Sequence, residues 1–132
     1  MREISLTTER RTQLLDITDH VRAALAEANG AAAALVYVPH TTAGVTINEH
    51  ADPDLKTDIE TALEQIVDDG WTWRHEDADG PNAPAHVRAS LTGPQVLVPL
   101  DAGRLVLGIW QGIFFCEFDG PRERKVYVTT LS

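Results

Sequence analysis

Cysteine is nearly missing. Cys116 is the only one in 132 residues, so no disulfide can close within the chain. That suits a reducing compartment, and a cytoplasmic location is expected. Long apolar runs are missing too. Nothing approaches the roughly 20 residues needed to span a bilayer, and the longest candidate, Ala31 to Val38, is strand-sized. Met1-Arg2-Glu3-Ile4-Ser5 lacks the apolar stretch of a secretory signal. Positive charge is scarce: 11 Lys and Arg face 20 Asp and Glu, a net charge of −9. Nucleic acid and anionic lipid repel such a chain, so neither is an expected partner. One basic cluster, Arg122, Arg124 and Lys125, still permits a local anion site. There is no G-x-G-x-x-G, no P-loop and no G-x-S-x-G elbow, so no nucleotide cofactor is expected and no serine is marked as a nucleophile.

What is present is ordinary for a soluble domain: 43% hydrophobic and 23% charged residues. The length fits one domain over 1–132 with a real core. Arg2 to Thr8 and Gln13 to Ile17 read as strands. Thr18 reads as the N-cap of a helix that carries Val21, Ala24, Leu25 and Ala28 on one face and stops at Asn29-Gly30. Ala31 to Val38 and Val45 to Ile47 read as strands. Asp52-Pro53-Asp54 starts a second helix whose stripe is Leu55, Ile59, Ala62, Leu63, Ile66 and Val67, ended by Gly70. Trp71 to Asn82 is a long polar loop, and Ala83 to Leu91 a short helix. Gln95 to Leu100, Leu105 to Trp110, Ile113 to Phe118 and Lys125 to Leu131 then read as a β-meander. This predicts an α+β fold, a mostly antiparallel sheet or sandwich with two main helices and one short helix packed on one side. A sheet face left apolar would need another chain to cover it.

Three histidines stand in sharply punctuated contexts: His40 after Val38-Pro39, His75 in the long loop beside Glu76, Asp77 and Asp79, and His86 on the short helix. Imidazole serves as metal ligand, proton shuttle or anion partner near neutral pH. Three of them could supply a zinc-like site with an open position, although their spacing matches no short metal signature. Asn82, His86 and Ser90 lie four apart and share a helix face. Glu49, after Asn48, is a candidate general base. Glu117 alternates with Cys116 among apolar neighbours and needs a partner, for which Arg122 and Arg124 are candidates. Read one at a time, each histidine is more often a bland surface or turn residue than a ligand.

Taken in order, the motifs are His40-Thr41-Thr42-Ala43-Gly44-Val45-Thr46-Ile47-Asn48-Glu49, Asp52-Pro53-Asp54, His75, Asn82, Ala85-His86, Gly108-Ile109-Trp110-Gln111-Gly112-Ile113 and Cys116-Glu117-Phe118-Asp119-Gly120-Pro121-Arg122. Nearly the whole chain resembles the YjbQ-like family, named for a secondary thiamine-phosphate synthase activity. The resemblance implies a compact α+β subunit in a homotrimer, with a metal- or anion-binding pocket near subunit boundaries. Carried over by position, the implied metal ligands are His40, His75 and His86, and the implied catalytic residues His40, Glu49 and His86. Asn48, Asn82, Ser90, Trp110, Gln111, Glu117, Arg122 and Arg124 are the implied substrate contacts. The implied reaction joins a pyrimidine pyrophosphate to a thiazole phosphate, a transferase reaction on small phosphorylated molecules. Two alternatives come from other classes: metal-assisted hydrolysis of a phosphorylated or acyl substrate, and non-catalytic binding of a metal or anion.

The implied metal is zinc-like at the histidines, or Mg²⁺ with a pyrophosphate substrate. Departing pyrophosphate needs positive charge, with Arg88, Arg122 and Arg124 as candidates. Histidines suit zinc better than Mg²⁺, which prefers oxygen. Ile109 stands where Thr is usual in the family, His50 where Asn is common, and the segment from His75 to Asn82 is long.

Overall fold

Alternation does most of the work in β1 (Arg2–Thr7), where Ile4 and Leu6 are buried between exposed neighbours. The elements that follow are β2 (Gln13–Asp16), α1 (Thr18–Ala24), β3 (Ala33–Tyr37), β4 (Ala43–Glu49), α2 (Pro53–Ile66), α3 (Ala83–Thr92), β5 (Gln95–Asp101), β6 (Arg104–Leu105), β7 (Gln111–Glu117) and β8 (Glu123–Leu131). This computed structural model describes residues 1–76 and 80–132; Asp77 and Asp79, candidate partners of His75, lie outside the described residues.

The strands form two antiparallel sheets. One has five strands in the order β1-β8-β3-β5-β6, the other three in the order β2-β7-β4. The sheets face each other across Ile4, Leu6, Val36, Val98, Val126 and Val128 on one side and Val45, Ile113 and Phe115 on the other. α1 packs into that core through Val21 and Leu25. The opposite face of the small sheet, through Leu14, Phe114, Cys116 and Phe118, is covered by Ala85 and Ala89 of α3 and by Ile59 and Leu63 of α2.

The α+β class and antiparallel sheets hold, but several details change. The helices are not on one side: α1 packs one face, through Val21, against the sandwich core, whereas α2 and α3 cover the outer face of the small sheet. The expected meander does not form. β7 pairs with β2 and β4, and β8 with β1 and β3, so neighbours in sequence part company at Asp119–Arg122. The apolar run from Leu105 to Trp110 is a strand only at Arg104–Leu105; Ile109 is 85% exposed in a turn. Thr18 is not the cap of α1. Ile17 holds that position, and the Thr18 hydroxyl sits 2.5 Å from Asp16 Oδ1 and accepts the Ile113 N–H. α1 stops at Ala24, short of Asn29-Gly30, through Leu25 N–H bonding back to Arg22.

The Asp52-Pro53 start of α2 is as expected: the Asp52 side chain accepts the Asp54 N–H. Its stripe is less deeply buried than expected, with Ile66 57% exposed. Arg88 explains how the helix ends. Buried to 2% exposure, it donates to the carbonyls of Leu63, Glu64 and Val67, the acceptors a helix C-terminus leaves without partners. At the edge of the small sheet, the Leu14 N–H donates to buried Glu60 of α2, which also pairs with Arg10 at 2.9 Å.

Candidate functional site

His40 continues a strand ladder with its side chain. The β3–β8 register ends at Tyr37 opposite Tyr127, and Pro39 has no N–H to extend it. The His40 ring takes the next place, where Nε2 accepts the backbone N–H of Lys125 at 2.9 Å. Burial lowers the His40 pKa, and the positive charge of Arg124 lowers it further, so the ring is neutral near pH 7.

α3 brings His86 to the same place. His40, Thr41, His86 and Ser90 line one depression of about 290 Å³, floored by Ala43 and Ala89. Trp73, His75, Ala83, His86 and Val87 line a second of about 270 Å³. His75 meets His86 edge to face, with ring centroids 5.0 Å apart. His86 is thus the wall shared by both depressions, and through it the structure gathers all three expected histidines. Ser90 shares the face but bonds back to the His86 carbonyl at 3.1 Å.

A buried ionic layer supports this end. Glu117 is fully buried and pairs with Arg124 through two guanidinium nitrogens, Nε and Nη2. It also accepts the Thr8 hydroxyl and the N–H groups of Phe118 and Asp119. Arg124 reaches on to the Thr42 hydroxyl at 2.8 Å, fixing the segment that carries His40. Asn82 donates to Asp119, which Arg122 clamps at 2.9 Å. Glu117 and Arg124 are therefore internal supports rather than surface contacts for a ligand. Arg88, considered for an anion, is spent on the end of α2.

Asn48, Glu49, Trp110 and Gln111 are elsewhere. Glu49 pairs with Gln111 at the far end of β4 and β7, whereas Ala43 pairs with Glu117 at the histidine end. At about 3.3 Å per residue, the six steps along β4 separate the two ends by roughly 20 Å. Within one chain Glu49 is not a base for His40 or His86. The far end holds His50, which the sequence marked only as standing where Asn is common. His50 Nδ1 lies 2.9 Å from Asp16 Oδ2, with its ring against Gly112, where a Cβ would fall 2.4 Å from Nδ1. Burial pushes the Asp16 carboxyl up, but bonds from the Thr18 hydroxyl and N–H and from His50 outweigh it, leaving it below the ordinary range. The sequence signal for this pair was Gly112 itself, a strand glycine that lets another group approach closely.

A metal fits poorly in one chain. Among the described residues, no group of three or more His, Cys, Asp or Glu side chains is placed to hold one. His40 Nε2 already receives the Lys125 N–H, and His40 and His75 line different depressions that meet only at His86.

The model of the YjbQ-like UPF0047 family matches residues 2–132. The chain belongs to this family. UPF0047 protein YugU of Bacillus subtilis is 44% identical over 99% of this chain and 98% of the relative. UPF0047 protein MJ1081 of Methanocaldococcus jannaschii is 44% identical over 96% of this chain and 90% of its own length. Among solved structures, a YjbQ/UPF0047 protein of Clostridium acetobutylicum superposes with a TM-score of 0.92 at 44% identity, covering 99% of this chain and 100% of that one. Hypothetical protein APE1520 of Aeropyrum pernix gives 0.90 at 42% identity, covering 99% and 97%. The sandwich and its three helices are thus the YjbQ-like fold. No helix among the described residues is long and apolar enough to cross a membrane.

Proposed function

We propose that this YjbQ-like chain binds a small phosphorylated molecule in the His40–His86 depression and acts on it as a transferase of the secondary thiamine-phosphate synthase type. The observation that carries the reading is the shared lining: an imidazole with a fixed tautomer, a second imidazole and the Thr41 and Ser90 side chains converge on one concave surface. The imidazole N–H groups and the Thr41 hydroxyl are the donors there for phosphate oxygens, the Ser90 hydroxyl being bonded to the His86 carbonyl. The active form is a homotrimer in which a neighbouring copy brings its Glu49–Trp110–Gln111 end beside the histidines. Exposed apolar groups support that assembly: Leu97 at 59% and Tyr37 at 40% on the outer face of the large sheet, and Ile109 at 85% and Trp110 at 59% on the β6–β7 turn.

A second reading, binding without catalysis, draws on the ion pairs. Arg124 serves Glu117, Arg88 caps α2, and Lys125 pairs with Glu3 at 3.7 Å. Departing pyrophosphate would find few cations in one chain. The deciding assay is formation of thiamine phosphate by wild type, His40→Ala and His86→Ala. Synthesis lost in both variants supports the transferase. Equal rates in all three sink the site. Phosphate binding without turnover favours the binder. Light scattering tests the trimer, and a monomer overturns the shared site.

A further inference from the structure

We infer that His40 serves as a neutral N–H donor to an oxygen of the bound ligand, and not as a lone-pair ligand to a cation. A backbone amide only donates, so the 2.9 Å bond from Lys125 fixes a lone pair on His40 Nε2. A neutral imidazole has one lone-pair nitrogen and one N–H, so the proton is on Nδ1. This assignment follows from an obligate donor rather than from an adjustable hydroxyl or amide.

The two routes to a metal are both unfavourable. Binding at Nε2 would strip the Lys125 N–H of its acceptor at the place where Pro39 has already interrupted the ladder. Binding at Nδ1 while Nε2 keeps its bond would require an imidazolate. The remaining role is the one the tautomer offers: an N–H donor on a ring that lines the depression. The depression it shares with Thr41 sets this N–H beside a hydroxyl and suits an acceptor-rich group, and an ionised oxygen makes the stronger bond with such donors. The ligand class is therefore a phosphate monoester or free phosphate, with His40 contacting a peripheral oxygen. This part rests on the phosphorylated-ligand reading above; the tautomer does not.

Long-range ¹H–¹⁵N NMR on the full chain with labelled histidine reads the tautomer, with His40 assigned by the signal lost in His40→Gln. The expected result is a protonated Nδ1 and a bare Nε2, unchanged by zinc chloride. A protonated Nε2, or a zinc-induced shift of the His40 signals, overturns the inference. Inorganic phosphate then probes the donor. His40→Asn keeps an N–H near the Nδ1 position, whereas His40→Gln keeps an oxygen acceptor for Lys125 but no donor there. We expect His40→Gln to weaken phosphate binding about tenfold, as loss of a bond to a charged group implies, and His40→Asn by less than about threefold. Equal loss in both, or none in His40→Gln, overturns the donor role. If wild type binds no phosphate, the proposed function fails along with the ligand half of this inference, and the tautomer still stands or falls on the NMR result.

Discussion

Replacing Arg124 with Met tests how the histidine end is held together. Glu117 is fully buried and Arg124 nearly so, and they meet through two guanidinium nitrogens. Removing one partner of a buried pair costs about 3–5 kcal/mol, because the other charge is left without its counterion. Glu117 would keep the Thr8 hydroxyl and the N–H groups of Phe118 and Asp119. Those donors place the expected loss at the lower end, about 3 kcal/mol. With urea slopes of about 1–3 kcal/mol per molar, the unfolding midpoint should fall by about 1–3 M. The double variant Glu117→Met, Arg124→Met should recover most of this, since an apolar pair of similar volume is often no worse than a buried ion pair. The single variant should also loosen the His40 segment, because Arg124 holds the Thr42 hydroxyl at 2.8 Å. A single-variant loss within about 0.5 kcal/mol, the range of ordinary surface changes, would refute the reasoning.

Further outcomes follow from the same contacts. The lowered His40 pKa means that the unfolded chain takes up this proton more readily than the folded one below the usual 6.5. Its contribution is therefore fully present above that value and lost as pH falls; urea midpoints at about pH 7.5 and about pH 5.5 should show less decline in His40→Asn than in wild type. Gly112→Ala would place a Cβ 2.4 Å from His50 Nδ1 and 2.8 Å from His50 Cβ, so thermal unfolding should show a loss of about 1–3 kcal/mol, relieved by adding His50→Gly and only in part by His50→Ala. Arg88→Leu leaves the carbonyls of Leu63, Glu64 and Val67 without their donor; hydrogen exchange should rise in the last turn of α2, with a loss of about 2–4 kcal/mol. Cys116 is buried and its thiol pKa is pushed up to about 12, so a thiol reagent should label it only after unfolding.

Local features were the legible part of the fold. The Asp52-Pro53 start of α2 and the alternation in β1 are written in adjacent residues, and both appear where the sequence places them. Pairing was not legible. Leu105 to Trp110 has strand-like composition, yet only Arg104–Leu105 finds a partner strand, because composition cannot say whether a neighbouring edge is free. Thr18 has cap chemistry, but Asp16 two residues earlier captures its hydroxyl. The site divides the same way. His40, His75 and His86 were recognisable by motif, and His86 does join the other two. Glu49 and Gln111 carry equally good motifs, but β4 spans the sheet and puts them at its other end. The Asp16–His50 contact joins residues 34 positions apart across a glycine, a long-range contact no local pattern reports.

The carboxylate of Glu60 has a consequence beyond the stability of α2. β2 is an outer strand of the small sheet, and its Leu14 N–H, which would otherwise recruit a passing strand, is already engaged by that carboxylate at 2.8 Å. On the other side, β4 gives its Val45 N–H to the Gly93 carbonyl. Each margin of this sheet thus has one ladder N–H already engaged, which works against strand addition at Leu14 and Val45, the route by which exposed edges seed aggregates.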